Sequence, residues 1–291
     1  METALFYTLL VYFGLLVALA VFMSGRMESE EDFLVGGRKF NLWLTTFCLF
    51  ATWFGAGTLI AATDEVAAEG LQVTALEPLG AGMCLVFSGL FLAKPLWELK
   101  LMTYADFFRD KFGVKLEFLS VMLNIPIYVG WIAVQIVSLA NILAVFFPLP
   151  VWAFMIGIAL FACFLTVSGG MWSVSITDSF QLLIIIIGLF YLLFKVSGMV
   201  PEGIMGLLAN VEAEKLILIP HDKASDVFNW LGVFCISALG NMTGQDLGQR
   251  MFSAKSARVA KLGCLIAGVG YIVIGAIPVV LGLTASQTLG E

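Results

Sequence analysis

Charge is what this chain has least of. Only 12% of its 291 residues are Asp, Glu, Lys or Arg, about half the ~25% usual in a soluble globular protein. With 60% hydrophobic residues and a mean hydropathy of +1.00, a water-soluble fold of this length has nowhere to bury so much apolar surface. A bilayer takes it directly. The formal net charge of −6 excludes the clustered Lys and Arg that nucleic acid requires. Histidine is nearly absent: His221 stands alone, so the HExxH signature of a metalloprotease is missing, as are G-x-S-x-G and Walker motifs. Without a nucleophile and base pair the chain is not read as an enzyme. The five cysteines, Cys48, Cys84, Cys163, Cys235 and Cys264, lie inside apolar runs with no CxxC spacing. They read as small buried hydrophobes rather than disulfides or metal ligands. A cleavable signal is also lacking, because the first apolar stretch, Ala4 to Met23, is span-length and no Lys or Arg precedes it.

What is present is a series of spans. A crossing needs about 20 apolar residues at 1.5 Å rise each, and eight stretches satisfy that measure: about 4–24, 42–62, 71–93, 118–146, 150–167, 179–199, 227–247 and 262–284. Helices are expected throughout, since a lipid-facing segment must satisfy its own backbone. A barrel strand would alternate apolar and polar residues, whereas Leu182 to Phe194 is nearly continuous hydrocarbon. Twelve of the fifteen cations fall in alternate loops: Arg26, Arg38 and Lys39; Lys94, Lys100, Arg109, Lys111 and Lys115; and Arg250, Lys255, Arg258 and Lys261. The positive-inside rule makes that side cytoplasmic, which predicts a multi-pass inner-membrane protein with its N-terminus outside. Thr103 to Lys115 reads as an amphipathic stretch on the cytoplasmic surface. Ser168-Gly169-Gly170 predicts a tight turn between spans five and six. Residues 200–226 form an external segment in which His221 is an exposed loop residue rather than a proton relay.

The candidate chemistry lies in spans two, four, six and seven. Gly55 and Gly57 in the second span each weaken a helix by about 1 kcal/mol relative to Ala. Two readings follow: an unwound segment whose freed carbonyls meet a cation beside a cavity, or a small-residue packing face. Among the acids, Thr177 and Asp178 together offer hydroxyl and carboxylate oxygens to a hard cation such as Na⁺. Each of the three acids, Asp178, Glu77 and Asp246, has a second reading as a helix cap or the partner of a loop cation such as Arg250, and for Glu77 and Asp246 that reading is preferred. Gln135, Ser138 and Asn141 share one face of span four by their i, i+3, i+6 spacing; they line a solute path or bond a neighbouring helix.

Four segments in colinear order carry a family resemblance: FLVGGR (33–38), ATWFGAG (51–57), SGG with WS and ITDSFQ (168–181), and GQDLGQRMFSAKSARVAK (244–261). Together they resemble the sodium:solute symporter family, and ATWFGAG followed by LFLAKP (90–95) is most similar to its choline-transporter-like bacterial members. The resemblance implies an all-α membrane protein, a leucine-transporter-like inverted-repeat bundle in one transmembrane domain (1–291). Residues 1–24 would be an extra leading helix, 42–199 the first five-helix repeat, and 227–284 the first two helices of a second, incomplete repeat. It implies a principal sodium site using the carbonyls of Ala51 and Phe54, and a further sodium position at Thr177 and Asp178. Trp53 would meet the substrate cation through its ring face, with Gly55, Gly57, Gln135 and Ser138 beside the solute. The second aromatic of a choline cage does not carry over, since Gly244 stands there, so choline is not implied while a smaller organic cation or an amino acid is compatible. The expected activity is sodium-coupled symport of a small organic solute by alternating access, with Na⁺ as coupling ion and no cofactor. A symporter-like sensory module of a signalling protein is the alternative. Because the helix carrying the remaining sodium hydroxyls would follow Glu291, this stretch by itself is expected not to transport.

Overall fold

The computed structural model describes residues 2–25 and 27–289. Arg26, one of the loop cations above, and Glu291, the last residue, lie outside the described residues. Those described are helical nearly throughout and form no strand beyond an isolated bridge between Phe40 and Ala254. They pack as two compact units: the residues up to Lys39 with Lys100–Thr177, and Phe40–Leu99 with the residues from Asp178 onward.

Five of the described helices are long and apolar enough to cross a membrane, and two bent pairs raise the number to seven. The single helices are Ala4–Ser24, Leu71–Glu98, Val114–Phe146, Val151–Ser197 and Ala257–Leu283; the bent pairs are Leu42–Trp53 with Gly57–Glu69 and Ala224–Gly240 with Gln245–Phe252. The fifth and sixth predicted stretches, about 150–167 and 179–199, both fall on the helix Val151–Ser197. Unbroken, its 47 residues would run about 70 Å at 1.5 Å each, more than twice the ~30 Å hydrocarbon core. It does break, at Gly170, whose φ of 50° and ψ of −142° are non-helical. The expected turn is thus one residue rather than a loop. Residues 171–178, predicted as a loop entering span six, are helical instead, with Met171, Trp172, Ser173, Ser175 and Thr177 buried.

In the first unit the reason for a glycine at that break is contact. A Cβ at residue 170 would stand 2.6 Å from the carbonyl oxygen of Phe33, closer than atoms can pack. Phe33 belongs to the short helix Glu30–Val35, which is specified at both ends. The Ser29 hydroxyl accepts the Asp32 N–H at 3.1 Å, three acids fill the first turn, and Gly36 closes the helix in the left-handed region. Asp32 also accepts from the Lys39 ammonium at 3.1 Å and the Ser29 hydroxyl at 2.9 Å. These bonds, that from Lys39 foremost, hold its carboxyl below the usual carboxylate range. Arg38 reaches from the same loop to the carbonyls of Lys100 and Leu101 at 2.8 and 3.0 Å. Beyond it, the amphipathic stretch is a helix, Tyr104–Phe112, with a capping box between Thr103 and Asp106.

The second unit is built around Ala257–Leu283. One face of that helix is fully buried and, but for the aromatic Tyr271 in the same row, small (Ala260, Gly263, Cys264, Ala267, Gly268). Small residues let helices approach closely where lipid provides no hydrophobic drive. At Gly268 the neighbour is the Gly82 carbonyl, 2.6 Å from where a Cβ would lie. This close packing sets Leu42–Trp53, Leu79–Phe87 and Ala62–Glu69 around the central helix. Within residues 200–226, Lys215 donates to the Ala67 carbonyl at 2.6 Å, and His221 is exposed, as expected.

Candidate functional site

The second span breaks immediately after Trp53. Phe54, at φ −75° and ψ 75°, is the centre of an inverse γ-turn closed by the Gly55 N–H on the Trp53 carbonyl at 2.8 Å. A single π-helical turn over Gly57–Ala61 then leads into Ala62–Glu69, and the two halves meet at 61°. Because the Gly55 N–H turns back to Trp53, it does not reach the Ala51 carbonyl, its partner in a regular helix. Among the described residues no backbone N–H outside regular helix bonding falls on the carbonyl of Ala51 or Phe54. A Cβ at Gly55 or Gly57 would meet no atom within 4 Å. Open space flanks both glycines, so neither is a close-packed contact between helices.

The side chains around this break come from distant parts of the sequence. Trp53 donates its indole N–H to Asp246 at 2.6 Å. The Tyr271 hydroxyl, on the central helix and fully buried, lies 3.1 Å from the Trp53 carbonyl and 2.9 Å from Glu77. Thr58 lies 3.0 Å from the same Glu77 oxygen and 2.5 Å from the Tyr271 hydroxyl. Glu77 therefore neither caps a helix nor pairs with a cation, as the sequence reading had it. It is held by two hydroxyls, those of Thr58 and Tyr271.

The seventh span breaks at Asn241–Gly244, where its halves meet at 44°. Gly244 precedes the half-helix Gln245–Phe252, and Asp246 stands in its first turn, where the helix dipole favours an acid. Arg250, the loop cation weighed for all three acids, forms its ion pair with Asp178. Arg250 Nη2 stands 3.5 Å from Asp178, both side chains largely buried, and Arg250 Nη1 donates to the Asp246 carbonyl at 3.0 Å. At 3.5 Å the first contact is an ion pair rather than a well-formed hydrogen bond. The Thr177 hydroxyl is turned to its own helix, donating toward the carbonyls of Ser173 and Val174, each at 2.9 Å.

The structure thus gathers Trp53, Asp246, Thr58, Glu77 and Tyr271 around one break, with Ala51, Phe54, Gly55 and Gly57 in the break itself. Asp178 is joined to Arg250 on the half-helix that carries Asp246. Gln135 and Ser138 are half-buried on Val114–Phe146 in the first unit. Sequence reasoning missed Thr58 and Tyr271. The available signal was a tyrosine inside an otherwise apolar span, since a buried phenol seeks a partner.

The model of the sodium:solute symporter family matches residues 33–291. Human high affinity choline transporter 1 is 31% identical over 285 residues, covering 94% of this chain and 48% of that transporter. The Drosophila melanogaster high-affinity choline transporter 1 is 30% identical, covering 96% and 45%. Human sodium/myo-inositol cotransporter 2 is 27% identical, covering 89% and 42%. The chain spans about half the length of the curated relatives it matches. Among solved structures, the substrate-bound, outward-open state of a Na⁺-coupled sialic acid symporter superposes with a TM-score of 0.85 at 16% identity, covering 97% of this chain and 60% of that one. The fold is therefore that of the leucine-transporter-like bundle.

Proposed function

The chain belongs to the sodium:solute symporter family, and from that premise we propose that it serves sodium-coupled symport of a small organic solute by alternating access. The observation that carries this reading is the broken second span. Its turn at Phe54 leaves the carbonyls of Ala51 and Phe54 without a loop N–H, and unwound carbonyls at membrane depth are suited to a hard cation. The open space beside Gly55 and Gly57 leaves room for a solute next to that ion. Trp53 would present its ring face to the solute while Asp246 fixes the ring through the indole N–H. A sodium role for Thr177 and Asp178 requires the carboxylate to leave Arg250, a change suited to an ion site that forms in only one state of the cycle. Gln135 and Ser138 would complete the solute path from span four. The repeat scheme of 1–24, 42–199 and 227–284 belongs to the same proposal, as does an inner-membrane location with the N-terminus outside, which rests on the basic loops.

The energy source is the sodium gradient with the membrane potential, worth about 2.3 kcal/mol per charge per 100 mV. Thermal stabilisation of the purified protein by a solute library, in Na⁺ and in K⁺, tests the reading. We expect at least one solute to stabilise only in Na⁺, and Trp53→Ala to lose that response. Equal stabilisation in both salts would contradict sodium coupling.

A further inference from the structure

The oxygen atoms above the break outnumber the hydrogens available to join them. Glu77 Oε2, Thr58 Oγ1, the Tyr271 hydroxyl and the Trp53 carbonyl make four contacts, of 2.9, 3.0, 2.5 and 3.1 Å. Each hydroxyl owns one hydrogen and the carbonyl none. With Glu77 ionised, two hydrogens serve four contacts, and at least two pairs of oxygens face each other with lone pairs alone. The separations are those of O–H···O bonds, and they leave no room for a metal cation between the oxygens. No Lys, Arg or His among the described residues forms an ion pair with Glu77. An unpaired carboxylate inside a span costs several kcal/mol.

One added hydrogen reduces the unserved contacts to one, that between Glu77 Oε2 and the Tyr271 hydroxyl at 2.9 Å. With a proton on the carboxyl, Glu77 donates to Thr58, Thr58 to Tyr271, and Tyr271 to the Trp53 carbonyl. Such a chain runs head to tail, and each bond polarises the next. Without that proton both hydroxyls are drawn to the carboxylate, and the Trp53 carbonyl loses the phenol. We propose that Glu77, with Thr58 and Tyr271, is a proton-binding site whose occupancy decides whether Tyr271 caps the carbonyl at the break of the second span. The proton comes from the aqueous phase and rests on a carboxyl oxygen of Glu77; no other covalent bond changes.

Tyr271 is the titratable group in contact with that carboxyl. Cys264 on the central helix, Cys235 and Asp226 on Ala224–Gly240, and Asp64, Glu65 and Glu69 on the half-helix after the break make no hydrogen bond with it. Lys215 is turned to the Ala67 carbonyl, and Asp246 accepts from Trp53. Glu77 touches Thr58 and Tyr271, and Tyr271 packs against the ring of Phe54, whose carbonyl, with that of Ala51, is the proposed sodium site. Only its link to a sodium ion there rests on the proposed symport.

Infrared difference spectroscopy on the purified full chain, titrated from acid to alkaline, reads this directly. A protonated carboxyl group gives a C=O stretch that a carboxylate lacks. We expect such a band in the wild type and its loss in Glu77→Gln, whose carboxamide retains a donor toward Thr58. A band unchanged in the folded Glu77→Gln protein overturns the proposal. Should that variant not fold, Tyr271→Phe and Thr58→Val each alter the partners of the carboxyl, and a band that shifts in neither overturns it equally. Repeating the titration in Na⁺ and in K⁺ separates the two ideas. A Glu77 band indifferent to Na⁺ leaves the proton site standing and counts against sodium at the break.

Discussion

The two bent spans of the second unit are supported in opposite ways. At Trp53–Gly57 the segment itself carries no charge, and its polar partners arrive from residues 77, 246 and 271. At Asn241–Gly244 the half-helix that follows brings its own acid and base, Asp246 and Arg250, within one turn of each other. The first break is thus held by borrowed groups and the second by its own. Asp246 serves both, accepting the indole of Trp53 while its backbone carbonyl accepts Arg250. A change of partner at one break is therefore felt at the other.

The largest test of the contrast is Arg250→Ala. It leaves Asp178 buried without its cation, and breaking a buried pair from one side costs about 3–5 kcal/mol. Thermal unfolding in detergent should show that loss, while Glu77→Gln, which keeps a donor toward Thr58, should unfold close to the wild type. The reverse order would mean that the hydroxyl cluster, and not the ion pair, anchors the unit. Next in size is Trp53→Phe, which keeps the ring and deletes the bond to Asp246. A hydrogen bond to a charged group is worth about 1.5–3 kcal/mol. If the two breaks are joined through this bond, a double-mutant cycle of Trp53→Phe with Asp246→Asn will show less than additive loss. Additive losses would separate the breaks. Tyr271→Phe is smaller, about 1 kcal/mol for one net hydrogen bond, because the phenol is shared between two acceptors and its ring still packs against Phe50 and Phe54.

The same contrast explains what could be read without coordinates. Span lengths and hydropathy are local, so seven helical features appeared where expected and Gly170 broke the longest. A break near Gly55 and Gly57 was one of two readings those glycines allowed, and the carbonyls of Ala51 and Phe54 came from the family resemblance alone. The pairings were not legible. Thr58, Glu77 and Tyr271 are separated by up to 213 residues, and no periodicity joins them. Asp178 and Asp246 both read as acids near a basic loop, and only packing decides which one takes Arg250. The extent of the break at Gly170 was hidden for a similar reason: the close approach of Phe33, 137 positions away, allows one glycine to do the work of a loop.

The smallest effect belongs outside the spans, at Asp32 and Lys39. Here a buried acid is held by a mostly exposed ammonium and by the Ser29 hydroxyl, so water screens this cation as it does not screen the largely buried Arg250. Its carboxyl is held below the usual range, chiefly by the Lys39 bond. A depressed folded value means that the contribution to stability is complete above the unfolded value of about 3.9. It is lost as pH falls through the folded value, when the proton displaces the ammonium. Lys39→Met should therefore change the unfolding temperature little near neutrality. The gap between variant and wild type should narrow further on acidification below about pH 4 and shrink with added salt, since exposed pairs are screened. Arg250→Ala, with its pair buried, should be insensitive to salt. A Lys39→Met penalty as large and as salt-resistant as that of Arg250→Ala would show that the loop around Asp32 is anchored as firmly as the breaks in the spans.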